Sequence, residues 1–197
     1  MARFNPFSCG SGASTGGAYY NYANMAFACW GDSLTANGTG YADTLATSYT
    51  PTRKLYNGGV GGYTIAQAFS AQTAAPLYRD RILIIHDKMN SGETVDAYVA
   101  TVQAMIAYQP RMFLIVSGIF STDGSQDPGS AYYIRQSSVN TQLAALYPAN
   151  FLDVSVLLAD DTTRSDGVHL TTTARDTILI PAIAQKLVDL GYMNVTS

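Results

Sequence analysis

Apolar positions along the chain fall into short β-rich runs at 26–30, 54–57, 81–86, 112–117 and 151–154, each followed by Gly, Asn, Asp or Ser. Between these runs the period lengthens. Val95, Val99, Val102 and Ile106 share one helical face, as do Ile180, Ile183, Ala184, Leu187 and Val188 near the carboxyl end. Parallel neighbours need a crossover, and the crossover is usually a helix, so this alternation predicts a three-layer α/β/α sandwich around a five-stranded parallel sheet. Pro181 lies inside the last helical pattern and, lacking an amide hydrogen, should kink that helix or begin its second half. The irregular stretch 118–130 directly follows the fourth run and carries turn signals, which suits either a specificity loop at the carboxyl edge of the sheet or a surface excursion.

With 197 residues the chain fits one domain, expected over 25–197, preceded by a Gly/Ser/Ala/Asn/Tyr-rich arm or linker at 1–24. That arm has no basic start followed by an apolar core, so it does not read as an intact secretory signal. Only 13% of residues are charged against 47% hydrophobic. The surface must therefore be covered by Ser, Thr, Asn, Gln, Gly and Tyr, a composition suited to sugars or neutral polymers. The net charge of -3, with no Lys/Arg cluster, offers nothing to a phosphate backbone or an anionic membrane, so neither nucleic acid nor membrane is an expected partner. The longest apolar runs are far below the roughly 20 residues that span a bilayer. Cys9 and Cys29 are too few for a disulfide framework, and both are expected as free thiols.

Three motifs carry chemistry. Gly31-Asp32-Ser33-Leu34 ends the first strand and puts one serine where the chain turns. Asn57-Gly58-Gly59-Val60-Gly61-Gly62-Tyr63-Thr64 follows the second, and Asp166-Gly167-Val168-His169 precedes the last helix. A serine hydroxyl needs an imidazole base to become a nucleophile, and the imidazole needs a carboxylate to orient it, so Ser33 is to be considered with His169 and Asp166. The glycine cluster lacks the G-x-G-x-x-G register of a dinucleotide site, two isolated histidines do not form a metal site, and no cofactor is expected.

In order and spacing these motifs resemble the SGNH (GDSL) hydrolase family over nearly the whole chain from Phe27 on. The resemblance implies a flavodoxin-like fold and an acyl-enzyme mechanism with Ser33 as nucleophile, His169 as general base and acid, and Asp166 as its orienting carboxylate. It also implies an oxyanion hole from the Ser33 amide, the Gly62 amide and the Asn90 side chain. The third block departs from the family's Gly-x-Asn-Asp, since this chain has Lys88-Met89-Asn90-Ser91. Asn90 has a competing role as the cap of a helix starting near Gly92. His86 is expected to be structural or to line the substrate, with Asp87 and Lys88 as a local ion pair at the crevice edge. Asp32 should fix its loop and Asn57 tie the first two strand ends together, while Trp30, Tyr63 and Phe120 are candidate stacking faces or core.

The expected function is hydrolysis of a small acyl ester, an acetyl group on a carbohydrate being favoured by the uncharged polar surface. A short-chain carboxylesterase or lipase-like hydrolase is the first alternative. The second is a non-catalytic glycan-binding or structural module of a larger tail-fibre-like assembly, which goes with an extracellular or virion-surface setting.

Overall fold

The computed structural model describes residues 26–38, 40–47, 53–90, 92–120 and 127–193. The expected arm at 1–24, Cys9, Ser91 and the centre of the 118–130 stretch lie outside the described residues.

Five strands form one sheet: β1 (Phe27–Gly31), β2 (Leu55–Asn57), β3 (Ile82–His86), β4 (Phe113–Val116) and β5 (Phe151–Leu152). Their order is β2-β1-β3-β4-β5 and every pairing is parallel. This is the flavodoxin-like arrangement, in which the connections leave β1 and β3 in opposite directions and open a crevice between their carboxyl ends. Among the described residues six α-helices flank the sheet: α1 (Ala42–Thr47), α2 (Ile65–Thr73), α3 (Val95–Tyr108), α4 (Ala131–Leu146), α5 (Thr172–Ala174) and α6 (Ile180–Asp189).

The side-chain alternation of each strand divides the core into two halves. Phe27, Cys29, Ile82, Ile84, Leu114 and Val116 pack with Leu45 of α1 and Ile180, Ile183 and Leu187 of α6. Ala28, Trp30, Leu83, Ile85 and Ile115 pack on the other side with Ile65 and Ala68 of α2, Val99, Val102 and Met105 of α3, and Val139 and Leu143 of α4. The predicted three-layer sandwich is therefore present, with strands that match the apolar runs to within a residue or two. Pro181 lies inside a continuous helical run, directly after a π-helical turn at Arg175–Leu179 that already departs from the i→i−4 ladder its missing N–H would join. Thr64, Thr94 and Ser130 cap α2, α3 and α4, each hydroxyl accepting a backbone N–H from the first turn.

The structure decides between the two roles open to Trp30, and Cys29 is the buried free thiol expected of it. Trp30 is fully buried between α2 and the sheet, so it belongs to the core and offers no stacking face. Cys29 is also buried, and loss of solvent pushes its thiol up to about 12, which makes it a small apolar residue rather than a nucleophile.

Trp30 also sets the path of the chain after β2. The indole ring lies so close to Gly58 that a Cβ there would stand 2.3 Å from Trp30 Cε3, so only glycine lets the loop pass. Gly58→Ala should destabilise the protein by about 1–3 kcal/mol through forced repacking, and thermal denaturation should show a midpoint lowered by several degrees. An unchanged midpoint would mean that the indole moves freely.

Candidate active site

The site is built around Asp32, which is buried at the end of β1. Its Oδ1 accepts the Leu34 N–H at 2.9 Å, and its Oδ2 accepts from Asn90 Nδ2 at 2.7 Å. The Lys88 amide donates to the same carboxylate. One side chain thus joins the turn after β1 to the segment after β3, across the crevice of the sheet. Burial raises the Asp32 carboxyl above its ordinary value, and these donors work against that rise.

Ser33 is half-buried in a tight turn closed by the amides of Thr35 and Ala36, both donating to the Asp32 carbonyl at 3.1 and 3.0 Å. β1 can end so close to β3 only because residue 31 is glycine: a Cβ there would fall 1.9 Å from the His86 carbonyl oxygen. That carbonyl accepts the Thr35 hydroxyl at 2.8 Å, a second link between the Ser33 turn and β3.

The glycine-rich loop runs beside the turn. The Val60 amide donates to the Gly31 carbonyl at 3.1 Å, and the Gly59 amide is held by Asn57 Oδ1 at 3.0 Å. Asn57 Nδ2 reaches Asn37 Oδ1 at 2.7 Å and Asp43 Oδ2 at 3.3 Å, so Asn57 ties β2 to the chain after β1 as expected. Gly62 is exposed with a φ of +78°, and nothing lies within 4 Å of where its Cβ would be. A Cβ on Gly61 would lie 4.0 Å from Ser33 Cβ, so within the glycine motif the loop passes Ser33 at Gly61.

Asn90 does not cap a helix. The cap of α3 is Thr94, and the Asn90 amide instead donates to Asp32 Oδ2 and, at 2.9 Å, to the Tyr63 carbonyl. The structure therefore brings Asn90, Asp32 and the Gly62–Tyr63 segment together, with both Asn90 amide hydrogens engaged by protein acceptors.

His86 is fully buried and takes no part in the crevice surface. Loss of solvent, reinforced by the Arg164 charge, lowers its imidazole to about 3. Asp87 and Lys88, considered as a local ion pair at the crevice edge, are both buried. Burial drives the Asp87 carboxyl well up, the neighbouring Asp32 adds to the rise, and the Lys88 charge works to lower it. The Tyr98 hydroxyl donates to Asp87 Oδ1 at 3.2 Å.

Asp166 and His169 share one short turn. Asp166 Oδ2 lies 2.7 Å from His169 Nδ1, while its Oδ1 accepts the amides of Val168 at 3.0 Å and His169 at 2.7 Å. The His169 side-chain contact and these two amides hold the Asp166 carboxyl well below the usual carboxylate range, so it stays ionised. Leu170, which follows the pair, packs against the same apolar cluster as Leu34, and Arg175 Nη1 donates to the Gly38 carbonyl at 3.4 Å. Among the described residues no group of three or more His, Cys, Asp or Glu is arranged to hold a metal ion, and no helix is long and apolar enough to cross a membrane.

No family model matches the chain, and no curated protein is similar to it in sequence. Solved structures are similar in shape. The acetylxylan esterase Axe2 of Geobacillus stearothermophilus superposes with a TM-score of 0.63 at 18% identity, over 88% of this chain and 98% of its own. A member of the lipolytic G-D-S-L family from Veillonella parvula gives 0.64 at 16% identity, over 84% and 97%. The fold is SGNH/GDSL hydrolase-like. A third SGNH-like neighbour in shape, an α/β hydrolase from the metagenome of Lake Arreo, reaches 0.66 at 15% identity over 88% and 99%.

A buried neutral histidine makes the fold sensitive to acid. Below about 6.5 the unfolded chain protonates His86 and the folded chain does not until about 3, so stability falls as pH falls through that window, by up to about 1.4 kcal/mol per pH unit. Asp32 and Asp87 shift the other way and oppose this loss at acid pH. Thermal melts between pH 7 and 4 should therefore show a shallower decline for His86→Leu than for the parent chain; parallel curves would contradict the burial of a neutral imidazole.

Proposed function

We propose that the protein is a metal-independent serine esterase that removes small acyl groups, acetyl in the first place, from carbohydrate. The observation that carries this is the Asp166–His169 contact at 2.7 Å, in the segment that follows β5 as Ser33 follows β1, in an SGNH/GDSL hydrolase-like fold. A carboxylate on Nδ1 leaves Nε2 as the nitrogen that exchanges a proton with substrate groups, the tautomer that general-base catalysis needs. Acetylxylan esterases among the structural neighbours and the low surface charge support the choice of an acetylated sugar.

Ser33 Oγ attacks the ester carbonyl carbon while His169 Nε2 accepts the hydroxyl proton. The tetrahedral oxyanion is held by the Ser33 amide, an amide of the Gly61–Gly62 segment and Asn90 Nδ2. For Asn90 to serve, the oxyanion replaces the Tyr63 carbonyl as the acceptor of one amide hydrogen, while Asp32, the shorter contact and a carboxylate, keeps the other. His169 then protonates the departing sugar hydroxyl, leaving an acetyl group on Ser33. Water, deprotonated by the same imidazole, releases acetate and restores the serine.

Acetate release from acetylated xylo-oligosaccharides, set beside hydrolysis of 4-nitrophenyl esters of rising chain length, tests the assignment. Ser33→Ala should abolish both turnover and fluorophosphonate labelling. Asn90→Ala should lower kcat by roughly 100- to 1,000-fold, the usual cost of one oxyanion donor. Preference for butyryl or longer esters with no glycan activity would make the protein a general carboxylesterase, and absence of labelling would make it a binding module.

A further inference from the structure

Phe120 and Tyr133 stack against each other with ring centroids 4.4 Å apart and planes 27° from parallel, and both are half-buried. Phe120 lies four residues beyond β4, at the same carboxyl edge of the sheet as Ser33 and Asn90. Tyr133 belongs to the first turn of α4, where its amide donates to the Ser130 cap at 3.1 Å. Arg164 fixes the pair from a third direction. Its Nη2 donates to the Phe120 carbonyl at 3.1 Å and the Leu158 carbonyl at 2.8 Å, and its Nη1 donates to Thr163 Oγ1 at 2.6 Å. Two residues later the same segment becomes the Asp166–His169 turn. The aromatic pair is thus braced to the chain that carries the proposed base.

Strand order decides what this pair can touch. β4 is two places from β1 in the sheet, a lateral separation of about 10 Å between strand axes. An acetyl group bound at Ser33 is too short to bridge that gap, whereas a neighbouring ring of the same oligosaccharide can. The C–H face of a pyranose is apolar and flat enough to pack on an aromatic face, while the buried Arg164 guanidinium, already engaged by Thr163, Phe120 and Leu158, holds that face in place.

We propose that the Phe120–Tyr133 pair is a remote sugar subsite, holding a ring of an oligosaccharide substrate at a distance from the ring that bears the ester. This deepens the carbohydrate-esterase assignment and rests on it. The subsite makes affinity depend on chain length: acetylated oligosaccharides bind through it and an acetylated single sugar does not.

The test compares the parent chain with Phe120→Ala, and with Tyr133→Phe as a conservative variant that keeps the stack. Substrates are 4-nitrophenyl acetate, 4-nitrophenyl octanoate and acetylated xylotetraose; calorimetry with unacetylated xylotetraose reads binding without turnover. Phe120→Ala should raise KM for the tetrasaccharide roughly 3- to 10-fold and weaken calorimetric binding by a similar factor, with kcat and KM for the aryl acetate unchanged. Tyr133→Phe should retain tetrasaccharide affinity. Equal losses on tetrasaccharide and aryl acetate would reveal a structural role and overturn the subsite, as would unchanged or undetectable tetrasaccharide binding. A KM effect confined to the octanoate would assign the pair to an acyl chain and overturn it too. If the parent chain hydrolyses none of the esters, the esterase assignment fails by itself, and calorimetry still decides whether the aromatic pair holds a sugar.

Discussion

A single buried carboxylate holds the crevice in register. Asp32 receives hydrogen bonds from its own turn through Leu34 and from the far side of the crevice through Asn90 and the Lys88 amide. In low-dielectric surroundings a polar group without partners is costly, and one with several is a strong geometric constraint. The segments that follow β1 and β3 are therefore fixed to each other by side-chain chemistry in addition to the ladder between the strands. The short passage at Gly31, pressed against the His86 carbonyl, completes that constraint from the backbone side.

A second polar brace lies in α4. Gln136 Oε1 accepts the Met89 amide at 2.9 Å, and Asn140 closes a pair of hydrogen bonds with the backbone of Gly118 at 3.2 and 3.0 Å. Gln136 also donates to Asn140 at 3.1 Å. A helix that would ordinarily bury leucines uses two amides to hold the exits of β3 and β4. Asn90 is thus steadied twice, by Asp32 at its side chain and by Gln136 through the preceding amide.

These polar braces explain which parts of the fold could be foreseen. The strands were legible as short apolar runs, β1 and β3 being buried at every position, and α3 because Val95, Val99, Val102 and Ile106 recur at the helical period. α4 was not, because its buried face reads Gln136, Val139, Asn140 and Leu143, half of it polar. α1, at six residues, is too short to show a period. In the site, the Ser33 turn and the Asp166–His169 pair were marked by their motifs. The burial of His86, Asp87 and Lys88 was hidden, since charged residues at a strand end usually face solvent. The capping role considered for Asn90 failed because Thr94, four residues on, stands at the start of the helix, and which glycine of the Gly61–Gly62 pair passes nearer Ser33 depends on three-dimensional loop geometry.

The Asp166–His169 contact spans only three residues and is completed by two amides of the same turn. Its formation closes almost no loop and needs no distant strand, so little chain entropy is spent on it. The Asp32–Asn90 contact, by contrast, joins residues 58 apart and exists only once the sheet has assembled. One half of the constellation is a local motif that can survive partial opening or transfer to another scaffold; the other is a property of the assembled fold, and its integrity is bound to the cooperativity of the whole sheet.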